Sequence, residues 1–146
     1  MAISHGGEFR VGKSPEEVFA FLTDPSRFAP LLPDYQSHAV TDERNFTVTV
    51  KVGVGHIRGA ARVEMQLAEA QRPSRAVYQG KGSVAGGSVN VTAWFDLTPD
   101  GGGTRVNWKG EAQLHGPLIS VAGGLIEPLA KKNIQRLIES VQKALG

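Results

Sequence analysis

The chain has 146 residues, 40% of them hydrophobic, and 16 basic side chains against 14 acidic ones for a formal charge of +2. A chain of this length reads as one globular domain, residues 1–146, burying about 70% of its unfolded surface. So balanced a charge does not announce a nucleic-acid binder, whose basic residues should cluster on one face, and the absence of cysteine excludes disulfides, a thiol nucleophile and a Cys-ligated metal.

A short strand is predicted from Ile3 to Val11. Ser14-Pro15-Glu16-Glu17 then supplies an N-cap, a proline at the first helical position and a capping-box glutamate. The helix it starts runs to about Thr23 and buries Val18, Phe21 and Leu22. Asp24 to Ser37 follows, with prolines at positions 25, 30 and 33 that disfavour continuous helix and strand alike. Yet Phe28, Leu31, Leu32 and Tyr35 give it more apolar bulk than a surface loop needs, so it must cover something. Alternating runs fill the middle of the chain, separated by turn signals at Asp42–Asn45, Gly53–Gly55, Arg72–Ser74, Gly86-Gly87 and Pro99–Gly103. They predict an antiparallel meander of about six strands. From Leu118 to Leu145 apolar residues recur at helical spacing, with Gly123-Gly124 and Pro128 expected to kink the helix in its first third.

A twisted antiparallel sheet with one apolar face, and one amphipathic helix long enough to cross it, define an α+β helix-grip arrangement in which the sheet wraps around the C-terminal helix. Taking the apolar parity of each strand as inward places Gly59, Ala61, Gly80, Gly82, Ala93, Gly110 and Ala112 on the covered face. Such small side chains leave space that interiors packed at a density of about 0.75 do not tolerate. Either the long helix lies unusually close there, or the space is a ligand pocket of roughly 300–1,000 Å³. Phe28, Leu31 and Leu32 would then gate its mouth; the alternative is a hydrophobic plug closing the end of the core.

Val18-Phe19-Ala20-Phe21-Leu22-Thr23-Asp24-Pro25, followed by Leu32-Pro33 and Ser37, resembles the first-helix signature of the START-like (SRPBCC) superfamily. Lys51-Val52-Gly53, Gly80-Lys81-Gly82, Gly102-Gly103-Thr104-Arg105-Val106 and the closing helix extend the likeness over nearly the whole chain. Within the superfamily the sequence is most similar to the CoxG family of carbon monoxide dehydrogenase, with coenzyme Q-binding proteins as near relatives. It departs at Asp34-Tyr35, where that family commonly carries Pro-Gly-Cys-like residues, and at Gly146, where the membrane-associating tail of some members is lacking. The resemblance implies a carrier of a lipid or quinone-like molecule, or a factor that helps recruit a molybdenum hydroxylase to the membrane.

Catalysis has little to work with. His5, His38, His56 and His115 fall in a terminus, a strand start, a hairpin and a strand end, with no metal-binding spacing, and each reads as exposed or hydrogen-bonded. The inward positions of the meander carry no acid, base or nucleophile, leaving Tyr78 and Trp108 as polar handles. Gly101-Gly102-Gly103-Thr104 lacks the Lys of a phosphate loop and lies between strands, so it is a hairpin turn. Lys131, Lys132, Arg136 and Lys143 on the last helix make a basic face, for weak peripheral contact with anionic lipid, for an acidic partner, or simply for solvent. No secretory leader opens the chain and no apolar run approaches the ~20 residues of a membrane span. The expected setting is therefore cytoplasmic, with any membrane contact peripheral at the inner face.

The resulting expectation is non-catalytic binding of an apolar small molecule, without a cofactor or metal. Its ring or head group lies near Tyr78 and Trp108 and its tail lies against Val91, Phe95, Leu125 and Ile126, with Phe28, Leu31 and Leu32 at the gate. The competing expectations are a polyketide cyclase or hydratase-like enzyme using the same cavity, and an interacting protein whose cavity is vestigial.

Overall fold

A computed structural model describes residues 1–54, 57–84 and 86–146. Gly55 and His56, in the predicted hairpin after Gly53, lie outside the described residues, as do the side chains of Leu118 and Val121.

The chain opens with β1 (Ala2–Val11) and passes into α1 (Pro15–Leu22). Ser14 caps α1 as its sequence predicts, its hydroxyl accepting from the Glu17 amide at 3.3 Å. The proline-rich segment breaks into pieces: α2 (Pro25–Phe28), capped by Asp24, then a 3₁₀ turn, Ala29–Leu31. Asp34 ends it at φ 60°, a left-handed conformation that glycine adopts freely and aspartate tolerates better than most.

Six strands follow: β2 (Tyr35–Val40), β3 (Asn45–Val54), β4 (Ile57–Gln71), β5 (Arg75–Val84), β6 (Gly87–Asp100) and β7 (Gly103–His115). Together with β1 they form one antiparallel sheet in the order β1-β7-β6-β5-β4-β3-β2. Consecutive strands are neighbours except for β1, which returns to pair with β7. The turn at Gly101-Gly102, both with positive φ, is the tight β6–β7 hairpin.

The sheet's inner face is crossed by α3 (Pro117–Leu145), whose helical geometry is interrupted at Ala122 (φ −136°, ψ 20°), one residue before the Gly-Gly pair expected to loosen it. Apolar side chains gather in two clusters. The larger joins α1 to the sheet and to the end of α3 through Val18, Phe21, Leu22, Leu97, Val106, Val141 and Leu145. The smaller lies under the start of α3 and contains Ile3, Val54, Ala61, Val84, Val89, Ala122 and Ile126.

Candidate functional site

Between the two clusters the sheet and α3 are not in full contact. The helix runs closest to β1, with further approaches to β3, β7 and the 3₁₀ turn, and stands further from the central strands. Inner-face side chains at the sheet's middle stay half-buried: Val63 and Met65 on β4, Val91, Ala93 and Phe95 on β6, Trp108 and Ala112 on β7. The helix above shows the same pattern. Ala122 and Ile126 near its start and Val141 and Leu145 at its end are buried, whereas Leu129, Ile134, Leu137 and Ile138 between them are half-buried. These half-buried apolar side chains mark a region under the middle of α3, here called the hollow, that the two clusters leave less than fully covered.

Its floor follows from the register. One row across the sheet runs Ile3, Ala112, Val91, Gly80, Met65 and Phe46; the next runs His5, Gly110, Ala93 and Tyr78; a third runs Gly7, Trp108, Phe95 and Ala76. The glycines on this face differ in what they do. The place of a side chain on Gly80 is taken by the Met65 sulfur, and a Cβ on Gly82 would strike the Arg62 carbonyl and come within 2.8 Å of the Val63 Cα. A Cβ on Gly110 would meet nothing within 4 Å. Of these three glycines, only Gly110 opens onto empty space.

Tyr78 is only 4% exposed, and its hydroxyl donates to the Leu22 carbonyl at 2.8 Å, so it belongs to the core. Burial pushes its pKa up, with the Asp24 carboxylate adding to the shift. Phe28 packs on Phe46 and Tyr78 with ring centroids 5.7 and 5.8 Å apart, and Leu31 and Leu32 lie half-buried against the same cluster. The proline-rich segment thus covers the end of the larger core. Val91 and Ile126 belong with the smaller cluster and Phe95 with the larger. Leu125 is 53% exposed and faces away from what α3 buries. Trp108 lies over Gly7, its indole nitrogen 3.4 Å from where a Gly7 Cβ would stand.

The sequence reading missed His5. Assigned to a terminus, it instead shares the inward face of β1 with Ile3 and Val11, and its Nε2 is buried without a hydrogen-bond partner. Glu127 of α3 brings a carboxylate oxygen to 4.0 Å from it. The signal was the alternation Ile3, His5, Gly7, Phe9, Val11, which puts the histidine in phase with buried neighbours. His38 is hydrogen-bonded, its Nδ1 2.6 Å from the Tyr35 hydroxyl, and His115 is exposed.

Two open troughs of about 500 and 420 Å³ lie on the sheet's other face, where Glu64, Lys81 and Asn90 contribute to both. The first also touches Met65, Gly80 and Val91, which belong to the floor rows named above.

A seven-stranded antiparallel sheet crossed by a long C-terminal helix defines a START-like helix-grip domain. A conserved protein from Geobacillus kaustophilus has this fold with a TM-score of 0.85 at 20% identity, the alignment covering 98% of this chain and 95% of that one. A START superfamily protein from Mycobacterium smegmatis matches with a TM-score of 0.71 at 12% identity, covering 99% and 96%. The di-domain ARO/CYC protein StfQ from the steffimycin biosynthetic pathway matches over 99% of this chain and 51% of its own, with a TM-score of 0.69 at 9% identity. No match was found among curated proteins. Residues 7–146 match the family of the carbon monoxide dehydrogenase subunit CoxG, and the chain belongs to that family. None of its described helices is long and apolar enough to cross a membrane.

Proposed function

We propose that this protein binds an apolar small molecule, lipid or quinone-like, in the hollow between sheet and α3 without converting it, and that it serves as an accessory or recruitment factor for a molybdenum-type carbon monoxide dehydrogenase. The observation that carries the binding reading is the half-burial of facing apolar side chains, Val91, Ala93 and Phe95 below and Leu129, Ile134 and Ile138 above, between two well-buried clusters. Each 100 Å² of apolar surface withdrawn from water there is worth about 2.5 kcal/mol, against which the cost of association must be set. The dehydrogenase role rests on the family description, and a cytoplasmic setting with peripheral contact at the inner membrane face goes with it. In this reading Trp108, Val91, Phe95 and Ile126 touch the ligand, while Phe28, Leu31 and Leu32 border the hollow where α3 approaches the 3₁₀ turn. Tyr78 supports them from below, and Leu125 stands at the outer rim.

One observation favours an enzyme of the cyclase or hydratase type: His5 and Glu127, 4.0 Å apart, are ionisable groups at the hollow's edge. Native mass spectrometry of the protein purified from its own host tests the binding reading. A non-covalent adduct that organic solvent extracts unchanged is expected. A bare chain that also fails to take up the apolar fluorophore N-phenyl-1-naphthylamine would overturn it, and an adduct released as a rearranged or dehydrated product would establish the enzyme.

A further inference from the structure

Among the described residues, two buried polar side-chain atoms are without a hydrogen-bond partner, His5 Nε2 and Trp108 Nε1. A buried donor left unpaired is costly enough that each case calls for a physical explanation. These two share one face of two adjacent strands. His5 stands opposite Gly110 across the β1–β7 ladder, and Gly7, the next residue of β1 on that face, stands opposite Trp108. The indole nitrogen reaches over Gly7, so the side chains are anchored one two-residue step apart, about 7 Å along the strand. Gly110, opposite His5 and two residues from Trp108 on the same face, leaves the place of a side chain empty to 4 Å. On the helix side, Glu127 approaches His5 to 4.0 Å, beyond hydrogen-bond distance.

We infer that His5, Trp108 and the empty position over Gly110 form a hydrogen-bonding subsite for a neutral oxygen atom, carbonyl or hydroxyl, carried by the otherwise apolar occupant of the hollow. The inference rests on the binding reading above and adds the chemistry at one end of the ligand. An indole N–H can only donate, so its partner must be an acceptor. His5 Nε2 completes the recognition in either tautomer, donating to a carbonyl oxygen or accepting from a hydroxyl. The Glu127 carboxylate nearby disfavours a carboxylate in the same corner. The subsite therefore prefers ketones and alcohols to hydrocarbons and to fatty-acid anions.

The test uses the full chain with Trp94→Phe, which leaves Trp108 as the single indole because the sequence holds two tryptophans. Three probes of similar size, 4-phenyl-2-butanone, butylbenzene and 4-phenylbutanoate, are titrated by competition with N-phenyl-1-naphthylamine and followed in ¹H–¹⁵N spectra. The ketone is expected to move the Trp108 indole proton downfield while butylbenzene does not, and 4-phenylbutanoate is expected to bind more weakly than the ketone. The ratio of ketone to hydrocarbon affinity should fall about tenfold in Trp108→Phe, the scale of one lost hydrogen bond. Gly110→Val, which grows into empty space, should lower that ratio without touching either polar side chain, and it keeps the test alive if Trp108→Phe does not fold. If ketone and hydrocarbon both bind with the indole signal unmoved and the ratio unchanged by either variant, the subsite is overturned and the hollow stands. A carboxylate bound more tightly than the ketone also overturns it. If no probe binds, the hollow and the subsite fall together.

Discussion

The hydroxyl of Tyr78 in β5 donates to the carbonyl oxygen of Leu22 across 2.8 Å, pinning the last turn of α1 to the middle of the sheet. A helix leaves its final carbonyls without internal partners, and this one is satisfied from outside. Tyr78→Phe should cost about 1–2 kcal/mol in urea denaturation, because the Leu22 carbonyl stays buried and loses its donor. The alkaline limb adds a second check. Burial raises the phenol's pKa in the fold, whereas in the unfolded chain it ionises near ~10. The fold thus holds a proton that the unfolded chain gives up. This contribution to stability is whole below pH ~10 and is lost as pH rises from there through the folded value. Tyr78→Phe should flatten that decline; an equally steep alkaline limb in the variant would remove the assignment.

Ala93 and Gly82 lie on the same face but in different surroundings. Ala93→Phe places a ring in the hollow beside Val91 and Phe95, and should lower affinity for N-phenyl-1-naphthylamine at least tenfold while the melting temperature shifts by only a few degrees. In a filled core the same change would overpack at about 1–3 kcal/mol. Gly82→Leu should be the damaging member of the pair, since its Cβ meets the Arg62 carbonyl and the Val63 backbone before any side chain can reach the hollow. Equal melting temperatures for the two variants would contradict the geometry.

Leu31 and Leu32 are half-buried against the larger core. Changing both to serine should remove about 2 kcal/mol, reckoning half of a fully buried leucine's contribution at each site. That is less than the 5–15 kcal/mol of a typical domain, so the variant stays folded and its ligand rates are measurable by stopped-flow fluorescence. Faster entry and exit support the gate. Unchanged rates in a destabilised protein would leave the segment as a cap on the core.

Lys131 and Lys132 are exposed on α3. Near an anionic bilayer each contributes on the order of 1 kcal/mol, too little for firm attachment and readily screened by salt. Flotation with phosphatidylglycerol-rich vesicles should recover a fraction of the protein at low salt and almost none at physiological salt, and Lys131→Glu with Lys132→Glu should abolish the recovery. Failure to float even at low salt would leave a protein surface as the docking partner.

The fold was legible because it is written in alternation and in caps. Ser14 with Glu17, the strand parity from Phe46 to Leu114, and the helical spacing after Leu118 each constrain backbone and burial together. The hollow's residues were read less well where two structures share one pattern. Gly80, Gly82 and Gly110 look alike in sequence, yet one is filled by a flexible methionine, one admits a close backbone approach and one faces space. What separates them is the course of the neighbouring strand, which is a tertiary property. Leu125, 53% exposed, stands about 100° round the helix from Ile126 and off the arc that Ile126, Leu137 and Val141 share, a difference lost when all the apolar residues of the helix are read as one stripe. His5 was lost because inward faces were assigned only from Phe46 onward, although the predicted strand Ile3–Val11 carries its alternation with Ile3.

The pairing of β1 with β7 has a consequence in time. Every other ladder joins consecutive strands, but Ala2 to Val11 align with Gln113 to Thr104, and the ends are clasped further by Gly12 donating to the Gly146 carbonyl at 3.1 Å and by Gln142 donating to that of Arg10 at 3.2 Å. β1, synthesised before its partner, must wait for β7 and the closing helix before it has anything to bond with. Long-range closure of this kind is slow compared with hairpin growth, so β1 is the last strand to dock. In pulse-labelled hydrogen exchange during refolding, its amides should gain protection after those of β4–β6. Because His5 arrives with it, the hollow acquires its polar corner only in the final step of assembly.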